Sequence, residues 1–88
     1  MTDKKRKRSA AKKNILFAGR RTRPCEYCSK PLTRDIATLD HVRPVSKGGY
    51  DRLRNCVLAC RECNQRKGNM SREQFLTLLE HEARGYAA

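Results

Sequence analysis

Cys25-Glu26-Tyr27-Cys28, Leu39-Asp40-His41-Val42-Arg43-Pro44 and Cys60-Arg61-Glu62-Cys63 follow one another along the chain, and their reading decides the fold. Two cysteines separated by two residues put their sulfurs within reach of one tetrahedral ion, and two such knuckles can close a four-sulfur site. Thiolate donors with no redox demand favour Zn2+, held by Cys25, Cys28, Cys60 and Cys63 as a structural ion. Closing that site would bring the enclosed Asp-His segment against Asn64, Arg66 and Lys67, which follow the second knuckle.

Working outward, 88 residues allow one small domain, and 38% hydrophobic content leaves few side chains for a core. A chain this short of apolar burial needs a staple. Disulfides are the rival staple for five cysteines, but the count is odd, the spacing is paired, and no apolar signal segment precedes them. No apolar run reaches membrane-spanning length, so no membrane partner is expected and the location is expected to be intracellular, a phage protein in its host cell included.

The net charge of +12 is unevenly placed. Residues 1–23 hold ten Lys or Arg against Asp3 alone, a net +9, while residues 24–88 carry +3. A zinc ion with four thiolates subtracts two more from the second part and leaves a nearly neutral body with a cationic arm. That asymmetry points to a polyanion, with nucleic acid ahead of anionic lipid because no strongly amphipathic anchor adjoins the arm. A merely solubilising tail is the plainer alternative.

The organisation expected is a basic, largely disordered arm over 1–19, a folded domain over 20–84, and a tail over 85–88. Residues 1–13 show no apolar periodicity. The patch Asn14-Ile15-Leu16-Phe17-Ala18 would pack back onto the domain, and its length leaves helix and strand open. Residues 36–42 alternate and are β-branched enough for a strand, with Asp40 and His41 on opposite faces. Pro44 stops it. Gly48 and Gly49 suit a loop, residues 53–59 return as the partner strand, and a short helix runs from Arg61 to about Lys67 with Gly68 as its stop. Cys56 lies on the returning strand as a buried small residue, outside the metal shell.

The clearest helix begins at Ser71. Gln74 completes a capping box, Met70 can staple to Phe75, and Phe75, Leu78 and Leu79 form an apolar stripe that should cover the metal-held unit. The fold class expected is therefore small α+β: a hairpin and helix stabilised by four cysteines, with a C-terminal packing helix.

Across residues 25–67 the combination of Asp40-His41-Val42-Arg43-Pro44, Gly48-Gly49, Asn55 and Cys60-Arg61-Glu62-Cys63-Asn64-Gln65-Arg66-Lys67 resembles the HNH endonucleases, one group of the ββα-metal nucleases. The resemblance implies a DNA-cleaving module that holds a catalytic divalent ion apart from the structural zinc. By position, His41 is similar to the family's general base and Asp40 to a ligand of the catalytic ion. Asn55 matches the middle asparagine, which braces the hairpin loop and orients the histidine. Asn64 stands where the last histidine often is. The amide oxygen of Asn64 is a harder donor than imidazole and favours Mg2+ or Mn2+, with Zn2+ or Ni2+ left open.

The residues make the same chemistry reasonable. Phosphodiester hydrolysis needs an activated water, charge neutralisation and help for the departing oxygen. A neutral imidazole can take the proton of a water, and two oxygen ligands leave an open site on a hard cation. Arg43, Lys47, Arg61, Arg66 and Lys67 are candidate phosphate contacts, each with solvated charge as its plainer reading. DNA is the expected partner, with a homodimer or a larger DNA-processing machine allowed. The competing explanation is a catalytically inactive, zinc-stabilised nucleic-acid-binding or accessory module.

Overall fold

The computed structural model describes residues 2–85, and the side chains of residues 7–85. Among them run the helices α1 (Thr2–Phe17), α2 (Arg61–Lys67) and α3 (Arg72–Ala83). Two antiparallel pairs of strands lie between, β1 (Arg23–Pro24) with β2 (Pro31–Leu32) and β3 (Thr38–His41) with β4 (Cys56–Ala59). The fold is small α+β, with the expected hairpin and helix at its centre.

In the β3–β4 hairpin Thr38 faces Ala59, Leu39 faces Leu58, Asp40 faces Val57, and His41 faces Cys56. Both strands are shorter than their apolar runs. Ala37 is drawn into a turn by its N–H bond to the Thr33 carbonyl (2.9 Å), and Leu53–Asn55 form a 3-10 turn before β4 begins. The Val42 N–H still donates to the Asn55 carbonyl at 2.9 Å, so pairing continues one step beyond the ladder.

Cys60 caps α2, its sulfur accepting from the Cys63 N–H at 3.4 Å, and Gly68 ends the helix at φ +52°. α3 carries the full capping box, with the Gln74 N–H donating to Ser71 Oγ (3.2 Å) and the Ser71 N–H to Gln74 Oε1 (2.9 Å). One cap of this kind contributes about 1 kcal/mol. Its apolar stripe turns inward: Phe75 is fully buried, Met70, Leu78 and Leu79 pack partly buried against the core, and the Tyr27 ring meets Phe75 edge-on at 5.0 Å. The α3 N-terminus is bound to the end of β3 by the Arg72 N–H, which donates to the Val42 carbonyl at 2.8 Å.

The core joins Phe17, Leu32, Leu58, Ala59 and Phe75 to the buried sulfurs of Cys25, Cys60 and Cys63. Cys56 is also buried, as expected of a small strand residue. The basic arm differs from its reading as irregular chain. It is helical over 16 residues, α1, because Ala10, Ala11 and the lysines and arginines are good helix formers and because Phe17, buried among core residues, anchors the helix at its C-terminal end. Ala18 (φ +52°) and Gly19 (φ +77°) then turn the chain out of the helix. Of the expected tail, Gly85 follows α3 at φ +82°, and residues 86–88 lie outside the described residues. Among the described residues no helix is long and apolar enough to cross a membrane.

Candidate active site and metal centre

Cys25 and Cys28 sit on the knuckle between β1 and β2, while Cys60 and Cys63 sit at the start of α2. The four Sγ atoms lie within 4.8 Å of one another, and Cys28 and Cys60 are 3.8 Å apart. Four sulfurs at the usual zinc–sulfur length would be separated by about 3.8 Å along each edge of the tetrahedron. All five cysteines are free thiols in this arrangement. Burial works against the Cys25 thiolate, yet backbone N–H groups from Cys28, Cys60 and Tyr27 outweigh it and bring this thiol down to about 7. Burial first, and then the adjoining sulfurs of Cys60 and Cys28, push the Cys63 thiol up. Sulfurs this close cannot all ionise without a cation among them, so the donor set fits a metal such as zinc.

At the other end of the hairpin, alternation separates two neighbours. Asp40 points inward, 3% exposed, where the Tyr27 hydroxyl donates to Oδ2 and Lys67 Nζ donates to Oδ1 at 3.0 Å. Burial, followed by the Asp40 contact, raises the Tyr27 phenol well above its ordinary range, so it stays a donor. Lys67 Nζ also reaches the His41 carbonyl at 2.8 Å and thereby fastens α2 to β3. His41 points the other way, with Nε2 3.0 Å from Asp51 Oδ1. Their side chains leave opposite faces of the ladder, yet both residues border the same cleft. Asp40, His41, Asn64 and Lys67 line one cleft of about 290 Å³.

Asn55 braces the loop over that cleft. Its Oδ1 accepts from the Arg43 N–H at 2.9 Å, and its Nδ2 donates to the carbonyls of Arg43 (2.8 Å) and Tyr50 (2.9 Å). Gly49 has to be glycine in this arrangement, since a Cβ there would lie 2.0 Å from the Arg43 carbonyl oxygen. Asn64 donates from Nδ2 to Thr38 Oγ1 (3.0 Å) and to the Leu39 carbonyl (3.3 Å), which turns its amide nitrogen toward β3. Asp40 and Asn64 could offer oxygen donors to a hard cation, although the Lys67 ammonium already serves as counter-charge to the first.

The cationic residues divide. Arg43, Lys47 and Arg61 are all exposed, and Arg43 Nε donates to the Lys47 carbonyl at 2.9 Å. Lys67 departs from its reading as a phosphate contact. It is 2% exposed and bonded to Asp40 and to the His41 carbonyl, because a buried carboxylate needs a buried counter-charge. Arg66 is engaged by Glu82 at 2.6 Å while its guanidinium lies 5.7 Å from the centre of the Phe75 ring. Three contributors escape the sequence reading: the Tyr27 hydroxyl, Asp51, and Lys12, whose Nζ is 2.7 Å from Asp51 Oδ1. Lys12 first and His41 second hold the Asp51 carboxyl down to about 2.

Comparison with known proteins agrees with this geometry. Residues 25–70 match the family model described as HNH endonuclease. A stretch of 46 residues, 51% of this chain, is 39% identical to CRISPR-associated endonuclease Cas9 of Corynebacterium diphtheriae (strain ATCC 700971 / NCTC 13129 / Biotype gravis), and it spans 4% of that protein's length.

Proposed function

The chain belongs to the HNH endonuclease family, and from that premise we propose that it is a divalent-metal-dependent DNA endonuclease with little sequence preference. The observation that carries the reading is the meeting of His41 with Asp40 and Asn64 in one cleft, beneath a loop braced by Asn55.

In this reading His41 takes a proton from a water as its oxygen bonds to phosphorus, the bridging phosphorus–oxygen bond breaks, and the leaving oxygen is protonated by solvent. Asn55 keeps the loop, and with it the imidazole, at the scissile phosphate. Asp40 and Asn64 are the residues that would hold Mg2+ or Mn2+, which when bound supplies charge neutralisation at the phosphate. The Cys25, Cys28, Cys60 and Cys63 cluster would hold a structural Zn2+ that anchors both knuckles. Residues 20–84 act as the cleaving module and residues 1–19 as its basic arm. Phosphates are met by that arm with Arg43, Lys47 and Arg61, contacts that position DNA without reading its sequence. We take the activity to act on DNA inside a cell. Nicking is the minimal event, and a double-strand break needs two nicks, a dimer, or a larger assembly.

One observation favours a second reading, a zinc-stabilised binding or accessory module. The Asp40–Lys67 pair already satisfies the carboxylate that would ligate the catalytic ion. A cleavage panel on supercoiled plasmid separates the two. Nicking that depends on Mg2+ or Mn2+ and disappears in a folded, zinc-loaded His41→Ala variant supports the nuclease. Tight DNA binding without cleavage under any of these metals rejects it.

A further inference from the structure

Asp51 belongs neither to the core nor to either ligand set, yet among the described residues it alone hydrogen-bonds the His41 ring. Its side chain is 58% exposed, so burial does not force the bond. The second tie comes from the N-terminal helix. Lys12 reaches Asp51 Oδ1 at 2.7 Å and the Asp51 carbonyl at 3.4 Å, with its own side chain only 16% exposed. Held ionised at neutral pH by Lys12 and His41, the carboxylate can accept but not donate. An imidazole facing it must therefore present Nε2–H, and Nδ1 becomes the bare nitrogen.

Cys56 Sγ belongs to the same group, within 4.8 Å of the His41 and Asp51 ligand atoms. The trio is nevertheless a poor cation site. The Lys12 ammonium already sits on Asp51, and burial raises the Cys56 thiol.

We propose that Asp51, steadied by Lys12 of α1, is the positioning residue for His41, fixing its tautomer and aiming Nδ1 at the attacking water. The proposal rests on His41 being the general base. It makes the basic helix part of the catalytic unit as well as an electrostatic arm, because one of its lysines touches the group that orients the imidazole.

Long-range 1H–15N spectra of the full, zinc-loaded chain test the orientation directly, with His81, the second of its two histidines, as an internal reference. The unaltered chain is expected to show His41 as a single Nε2–H tautomer in its neutral form. Asp51→Ala should give a tautomer mixture and lower kcat on plasmid by about 10- to 100-fold with little change in KM, a share of the roughly 10²- to 10⁴-fold that a placed base contributes. Asp51→Asn keeps an acceptor and should recover the tautomer and part of kcat, which also guards against a folding defect in the alanine variant. Lys12→Met should lower kcat on saturating DNA, whereas a lysine that only contacts phosphate would alter binding alone. An unchanged tautomer with unchanged kcat in Asp51→Ala overturns the proposal. Full activity in His41→Ala would instead overturn the base assignment, and the spectra would still judge the Asp51–His41 bond.

Discussion

The two ends of the β3–β4 hairpin are held by different physics. At the Thr38–Ala59 end, buried sulfurs, Leu32, Ala59 and Phe75 make a dry core around the four-cysteine cluster. At the His41–Cys56 end the loop has two 3-10 turns with no buried residue in either, and its shape depends on amide hydrogen bonds from Asn55. An apolar core and a polar hydrogen-bonded loop thus occupy opposite ends of one short ladder. The four-cysteine end is buried, and the loop end stays polar and half-open.

Removing the metal ligands should have the largest effect on that division. Structural zinc in small peptides contributes about 10–16 kcal/mol, against about 5–15 kcal/mol for the whole stability of a typical domain. Cys60→Ser, or chelation of the ion, should therefore unfold both ends together, seen as collapse of amide dispersion. Native-like dispersion after verified metal loss would break the comparison. Phe75→Ala should cost about 3–5 kcal/mol, since a fully buried ring leaves a cavity, and should lower the thermal midpoint while metal remains bound.

Asn55→Ala sharpens the contrast. It strips three hydrogen bonds from the loop, at a cost of about 1–3 kcal/mol. Hydrogen exchange should then accelerate over residues 43–55 and stay slow in β4 and α2. Uniform acceleration would show that the ends are one cooperative unit. Ser71→Ala should matter least, about 1 kcal/mol, because the capping box lies at the surface and its loss only frays the first turn of α3. Circular dichroism melts are sufficient to measure it.

What was legible in the chain followed local rules. The cysteine spacing, the Ser71–Gln74 box, the Gly68 stop and the two strand runs each depend on residues a few positions apart, and each is found where its pattern lies. The strand ends were less readable, because Ala37 is drawn into a turn by Thr33 and the Asn55 side chain takes up the Arg43 backbone just past the ladder. At the site, His41, Asn64 and Asn55 could be singled out by pattern and resemblance. The surroundings could not. Lys12 meets Asp51 across 39 positions, Lys67 meets Asp40 across 27, and the Tyr27 hydroxyl meets the same carboxylate across 13. No periodicity encodes such meetings; they arise from how α1, α2 and the first knuckle pack. The same reason explains why a charge run without apolar repeats hid a helix that is anchored by Phe17 and Leu16 on the core and by Lys12 on Asp51.

The stretch shared with the nuclease family stops at residue 70, yet the Phe75 ring that seals the cluster and the Arg72 amide that grips Val42 both lie beyond it. Anyone excising this module to graft into another scaffold must carry the chain through Ala83. A cut at the edge of the family likeness would export the hairpin and leave behind the ring that covers its sulfurs.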